Sequence, residues 1–556
     1  MYLIKKWAKA LHKPIAYYFT PAKSRKMKNK PFYLSQSSYG LRLHSTWSII
    51  ILLLLLLGIS LSSCSDTPSD IRELIALSDN EQELEASIDY FKEDSLKTEA
   101  LFFLLRNMPR KGTKNYVERT RSKEEVQHDW GQYEGYDVAK KEKERLCIHV
   151  HRKDAIPDLQ QITADFLIRN IEDAFELWQQ PWGVGISFSD FCEYILPYRD
   201  RFEPLTSNWR STTRSLHKDI AEGSQQEDGN VELCAQINDS LKANFAFNYN
   251  YTLGAPYPSI QRLQDLGEGP CPYMTSLTLY TMRAFGLPVA RDFAPYWSNI
   301  HHFSSHEWNA VLGQDGQWYP FMGCEANPRT YQPIFQAPKV FRETYSQQES
   351  AIHKLLSPDE IPDRFRRKDL VDVTNLYYPA GDLSLSVSSD YAQEPILYLA
   401  VFNQRQWRVA YWGEVEAEQV TFKNMAQGVV YQLMSYQPSR GYRPIGDPVL
   451  FDKDGSVRSF AAGEAADEEQ IALSTFGLGS LGSNDYRNPL TEGDTYTLNY
   501  WTNGEWKIFD SAKAVDGLVH FEQVPDGAIF TLARNALNRT SGEQLFELVD
   551  GEQIFW

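Results

Sequence analysis

The chain has 556 residues, 42% of them hydrophobic and 13% aromatic, with a formal net charge of -17. That length and apolar content can bury several cores and suggest three or four domains, while the acidic balance argues against a nucleic-acid partner.

Residues 1–63 hold ten Lys/Arg and no acid, and Trp47 to Leu61 is an almost unbroken apolar run that leads into Ser62, Ser63 and Cys64. A basic region, a short apolar core and small residues before a cysteine form the pattern of a bacterial lipoprotein signal peptide, with Cys64 as the lipidated first residue. The run is short for a comfortable membrane span. A single spanning anchor is the alternative, and Met27 is an alternative start. The expected location is the outer membrane, lipid-anchored, periplasmic or surface-facing. Without the ten positive charges of 1–63, the net charge of -17 becomes -27. Five cysteines follow Cys64 (Cys147, Cys192, Cys234, Cys271, Cys324), an odd set that leaves at least one free thiol.

Residues 64–225 read as a mostly helical region. In Ile162 to Gln180, Leu167, Ile171, Ala174, Phe175 and Trp178 share one helical face. Met108 to Glu144 is rich in Lys, Arg and Glu and reads as a solvated, mobile connection. Phe188 to Arg199 places aromatic and aliphatic residues at helical spacing. It is a core helix, or else Arg199 and Arg210 lie over a cleft and pair with substrate carboxylates, as guanidinium forks can. A further helix over Val231 to Ala246 leads into the next domain, 226–347.

That domain centres on Gly267 to Pro328. Cys271 follows a Gly/Pro-rich turn (Gly267, Gly269, Pro270) and precedes Pro272, a residue suited to the first helical turn. Met274, Leu277, Thr278, Tyr280, Thr281, Ala284 and Phe285 continue at helical spacing, and Gly286 and Pro288 close the helix. The helix N-terminus, with its unpaired N–H groups, should favour thiolate at Cys271. A hairpin follows, with Glu307 to Leu312 and Gln317 to Met322 flanking a two-residue Asp315-Gly316 turn. That turn would set His306 directly opposite Glu325, with Cβ atoms roughly 4.5–5.5 Å apart. Such a grouping offers a nucleophile (Cys271), a general base (His306) and an orienting acid (Glu325), with Asn327 as the fallback for the acid. The Cys271 N–H, and Gln261 or Gln264, are candidate oxyanion donors. Trp297 and Trp308 either wall a substrate cleft or belong to the core. His301 and His302 read as solvated loop residues. The spacing of His and Cys matches no zinc pattern, so neither a metal nor another cofactor is expected.

Gly269-Pro270-Cys271 before a helix, then Met282 to Pro288 (MRAFGLP), then His306 to Asn309 (HEWN) together resemble the transglutaminase-like superfamily, cousins of papain-type cysteine proteases. The flanking stretches Lys92 to Pro109, Phe188 to Arg199 and Trp209-Arg210 also resemble a group of large lipoproteins of Bacteroidetes-type bacteria that carry this domain. The resemblance implies a papain-like core and a Cys-His-acid site. The superfamily places its acid after a G-x-W-x-P-x-D-like pattern. Gly316, Trp318 and Pro320 fit that pattern here, but Met322 holds the acid's place.

Residues 348–371 form a charged, Pro-punctuated linker. From 372 the chain alternates, with Ile396, Tyr398, Ala400 and Phe402 on one face, then Trp407, Val409 and Tyr411, and later an Asn503-Gly504 hairpin. The expectation is antiparallel β-sandwich domains over 372–465 and 466–556, and an α+β chain throughout. Two functions fit. One is a surface lipoprotein with a thiol active site, performing acyl transfer or amide hydrolysis on a peptide or glycopeptide substrate. The other is a non-catalytic glycan- or peptide-binding surface lipoprotein.

Overall fold

The structure, a computed structural model, describes residues 67–556 apart from 218, 221–228, 301–304, 334, 465–469, 479–486 and 536–542. The signal-like segment, Cys64, and the loop residues His301 and His302 therefore lie outside the described residues.

Helices α1 (Ser69–Ala76), α2 (Glu81–Phe91) and α3 (Ser95–Asn107) pack with the later helix α5 (Ala164–Trp178). The predicted stripe is buried in α5, where Leu167, Ile171, Ala174 and Phe175 all face the core. Capping fits the sequence, since the Thr163 side chain accepts from the Phe166 N–H and the Asp94 side chain from the Lys97 N–H.

The stretch read as a mobile connection is instead ordered. Strand β1 (Gly112–Arg119) pairs with β2 (Glu125–Val126) on one side and β3 (His149–Pro157) on the other, and helix α4 (Tyr136–Leu146) lies between β2 and β3. Charge density misled the reading because one residue anchors the segment. Trp130 is buried and donates its indole N–H to the Glu118 carboxylate at 3.1 Å.

Helices α6 (Trp209–Leu216), α7 (Asn230–Asn244), α8 (Ile260–Leu266) and α9 (Cys271–Ala284) share one hydrophobic core. Beside α9 lies an antiparallel sheet in the spatial order β8-β7-β4-β5-β6, where β4 is Val289–Ala294, β5 His306–Leu312, β6 Trp318–Phe321, β7 Phe341–Glu343 and β8 Leu370–Asp372. The residues read as a linker are thus part of the architecture. Leu370–Asp372 is an edge strand of this sheet, while Ile352, Ile361 and Phe365 are buried against Tyr398 and Ala400.

The C-terminal part is antiparallel, as expected. Seven strands, β9 (Ala380–Ser386), β10 (Ile396–Asn403), β11 (Gln406–Glu416), β12 (Gln419–Ala426), β13 (Val429–Gln437), β14 (Gly441–Phe451) and β15 (Val457–Ser459), form one sheet in the order β9-β12-β11-β10-β13-β14-β15. It curls around a core to which both flanks contribute, Leu383 from β9 and Phe451 from β14. Strand β10 is buried on both faces. The last region holds a five-stranded sheet with two small strand pairs, and Asn503 and Gly504 make the predicted two-residue turn with φ of 51° and 79°.

Candidate active site

Cys271 is the first residue of α9, with Pro270 as N-cap and Pro272 in the first turn, as the sequence indicated. Strand β5 runs beside α9, and two contacts tie them. The Asn309 side-chain amide donates to the Thr275 carbonyl at 3.3 Å, and the Glu307 main-chain N–H is directed at the Cys271 thiol. Four residues of helix rise about 6 Å and two strand residues about 6.6 Å, so the two contacts keep step. The Glu307 main-chain N–H is therefore near enough to the sulfur to favour its charged form.

Burial overrides the helix pole. The N–H groups of Cys271 and Glu307 favour thiolate, but desolvation, joined by the Glu307 and Glu325 carboxylates, pushes the Cys271 thiol up to about 12. The expectation of a thiolate prepared by the helix N-terminus is corrected accordingly. His306 shifts the other way, where desolvation draws its imidazole down to about 4 against the opposing pull of Glu307. Its ring lies 6.0 Å from that of Trp297 and 5.7 Å from that of Trp308. At neutral pH the resting thiol and the resting imidazole are each neutral.

The hairpin differs from its predicted register. Strands β5 and β6 pair Asn309 with Phe321 and Leu312 with Trp318, one residue short of the register read from a two-residue turn. The turn takes in Gln314 as well as Asp315 and Gly316, with Gly316 at φ 76° and the Gly313 N–H bonded to the Gln317 carbonyl at 2.7 Å. Strand β6 then stops at Phe321, and a second tight turn brings Met322 opposite Ala326. Gly323 permits that turn, because a Cβ there would lie 2.1 Å from Thr278 Oγ1 and 2.7 Å from Asn309 Oδ1. Glu325 is consequently an exposed turn residue, and His306 pairs across β4 with Ala294. Glu325 remains within electrostatic reach of Cys271 and of Tyr331. Asn327 is committed elsewhere, accepting from the Asn238 amide at 2.9 Å and donating to Asp239 at 3.0 Å.

The predicted binding residues divide. Trp297 and Trp308 are buried, with rings stacked at 6.2 Å and 5°, so they back the His306 ring rather than wall an open cleft. Trp308 donates to the Tyr377 hydroxyl at 2.9 Å, which donates to Asp292 at 2.5 Å. Arg199 and Arg210 are each only 2% exposed, and Arg210 borders a small pocket of about 40 Å³. Arg199 forks onto Asp158 with two bonds of 2.6 Å, and Arg210 donates to the carbonyls of Ile195 and Arg283 at 2.6 and 2.7 Å. Both tie helices together, because a buried guanidinium needs acceptors on every side. Arg199→Ala is expected to lower unfolding free energy by about 3–5 kcal/mol in urea titration, through the stranded Asp158 charge. Gln264 donates to Thr213 at 3.1 Å, and the second N–H at the thiol comes from Glu307 rather than from a glutamine.

Three functional features escaped the sequence reading. The Glu307 carboxylate is held by Arg201 at 2.8 Å and by Arg291, which also binds Asp200 and donates to Ser276 of α9 at 2.8 Å. This buried network fixes the peptide that faces the thiol. The HEWN motif contained the signal, as an acid in a strand that otherwise turns inward. The second feature is Asn299, at φ 54°, gripped by the C-terminal sheets. Its N–H donates to the Phe402 carbonyl at 2.6 Å and its amide to the carbonyls of Leu545 and Trp556 at 2.9 and 2.7 Å. The third is an aromatic rim. Tyr249 lies within electrostatic reach of Cys271 and packs 5.0 Å from Tyr136, and Phe247, 52% exposed, pairs with Gly269.

Residues 214–322 match the family model of the transglutaminase-like superfamily, and this stretch is a transglutaminase-like domain. The match ends at Met322, where the superfamily's acid is expected. Among solved structures the chain is similar to the transglutaminase of red sea bream, at 8% identity over 80% of this chain and 78% of that one. The TM-score is 0.19, a likeness too loose to place any residue. No curated protein matches the chain.

Proposed function

We propose that the protein is a surface lipoprotein whose transglutaminase-like domain performs thiol-dependent acyl transfer or amide hydrolysis on peptide-like substrates. The observation that carries this reading is the half-buried thiol on the first turn of α9, near the main-chain N–H of Glu307, the residue after His306. The neutral pair sets the mechanism. Cys271 Sγ attacks the acyl carbon as its proton passes to His306, and the tetrahedral oxyanion takes the Cys271 N–H. The imidazolium then protonates the leaving amine, the C–N bond breaks and a thioester remains. His306 next deprotonates water or an acceptor amine, which attacks the thioester, and the imidazolium returns the proton to the leaving Cys271 sulfur. Glu307 supplies the negative charge that favours the imidazolium, Glu325 acts on the thiol alone, and Tyr249 and Phe247 offer apolar contact to the acyl group. The test is a screen of acylated peptides with the purified chain, scored for amine release that Cys271→Ala lacks. A screen without turnover overturns the reading.

One observation favours a second reading, a non-catalytic glycan- or peptide-binding lipoprotein. Met322, half-buried against the Trp297–Trp308 cluster, stands where the sequence resemblance places the superfamily's acid. The anchor is part of both readings. Cys64→Ala is expected to abolish incorporation of radiolabelled palmitate and to release the protein from the membrane fraction. An unlipidated wild-type N-terminus by mass spectrometry would overturn the anchor alone.

A further inference from the structure

A cavity of about 440 Å³ opens beside α9, lined by β1 from Lys114 to Glu118, by the turn from Gly254 to Ser259, and by Tyr273. Tyr273 stands two residues, hence about 200° of helical rotation, from Cys271, so the cavity lies on the other side of α9 from the thiol. Its volume falls within the range of small-ligand sites. The polar inventory is lopsided. Glu118 has its carboxylate occupied, accepting from the N–H groups of Trp130, Ala255 and His128 at 3.1, 3.0 and 3.3 Å, and Glu125 is paired with Arg119 at 2.8 Å. The two cations of the lining, Lys114 and Arg262, have no carboxylate partner among the described residues, and Lys114 Nζ rests 3.3 Å from the centre of the Phe202 ring. In a chain with 73 acids against 56 Lys and Arg, two such cations in one cavity mark a place where an acceptor is missing.

The backbone carries an independent sign. The Lys114 N–H donates to the Phe202 carbonyl at 2.8 Å, and the Thr120 N–H to the Glu124 carbonyl at 3.0 Å, so even-numbered residues of β1 direct their main chain away from β3. Glu118 is paired there with Val126. Tyr116 lies between these partners, lines the cavity, and stands where the β1–β3 register shifts. The partners on this side of the central strand β1 thus stop on either side of Tyr116. We propose that this cavity binds an extended peptide whose main chain pairs with Tyr116 and whose carboxylate meets Lys114 and Arg262. The rings of Tyr116, Tyr257 and Tyr273 take its apolar side chains.

Calorimetry on the full-length Cys271→Ala protein tests this without reference to catalysis. The probes are Ala-Ala-Phe-Ala with a free C-terminus, the same peptide amidated, and amidated Ala-Glu-Phe-Ala. The free acid should bind about tenfold or more tighter than its amide, since hydrogen bonds to charged groups are among the strong ones. Tight binding by the Glu peptide instead would assign the carboxylate to a side chain. Arg262→Gln, at a partly exposed position, should erase the preference. Tyr116→Ala keeps the strand's main chain, removes one of the apolar contacts, and should weaken all probes equally. Equal affinity for acid and amides, no binding by any probe, or a preference untouched by Arg262→Gln would each overturn the proposal.

Discussion

Cys271→Ala and His306→Ala are each expected to lower turnover of an accepted peptide by about 10³-fold or more, and the double variant should be no worse than the more damaged single one. Attack and proton transfer are one step here, because the thiol is neutral and cannot react until His306 accepts its proton. Losing either group disables that step. Glu325→Gln should cost less, since the residue sits on an exposed turn and acts only through its field. Glu307→Gln should cost more than Glu325→Gln, because Arg201 and Arg291 would lose the carboxylate that pins the peptide facing the sulfur. Steady-state rates of the four variants give the order. Undiminished turnover by Cys271→Ala would remove the enzyme reading, and a Glu325→Gln effect exceeding that of Glu307→Gln would reverse the assignment of the acid.

In the resting protein Cys271 should alkylate with iodoacetamide about 10³ times more slowly than in the urea-unfolded chain at pH 8. Burial moves the thiol from 9.0 to about 12, and each unit removes about tenfold of the reactive thiolate. The sign for stability follows from the same shift. The folded chain keeps its proton where the unfolded chain has lost it, so this contribution is full below about 9 and declines as pH rises toward the folded value. The alkylation rate, read at the Cys271 peptide by mass spectrometry, should climb tenfold per pH unit from 7 to 10. A plateau with its midpoint near neutrality would mean a thiolate–imidazolium ion pair and would overturn the neutral-pair mechanism.

Where the local rules act on contiguous residues, the sequence was legible. Pro270, Cys271 and Pro272 define a helix start, and Asn503-Gly504 a two-residue turn, because each depends on backbone torsions and on hydrogen bonds within a few residues. The order of thiol, histidine strand and hairpin could be read for the same reason. Local rules also misled in one place. Asp315-Gly316 satisfied a two-residue turn, but adding Gln314 allows Gly316 the left-handed conformation at the end of a longer turn, and that single residue moves every cross-strand partner of β5.

What only the tertiary structure decided concerns burial and long-range partners. The sequence by itself determined that Cys271 begins a helix; whether the helix pole or desolvation governs its proton depends on what covers it, here β5 and the aromatic rim. The sequence by itself determined that Arg199 and Arg210 are forked cations. Their role followed from Asp158 and from carbonyls of helices far away in the chain, which turned both inward. Asn299 shows the same limit most sharply. Nothing around it in the sequence marks it, because its partners, Phe402, Leu545 and Trp556, are brought to it only when the C-terminal sheets fold against the segment that precedes His306.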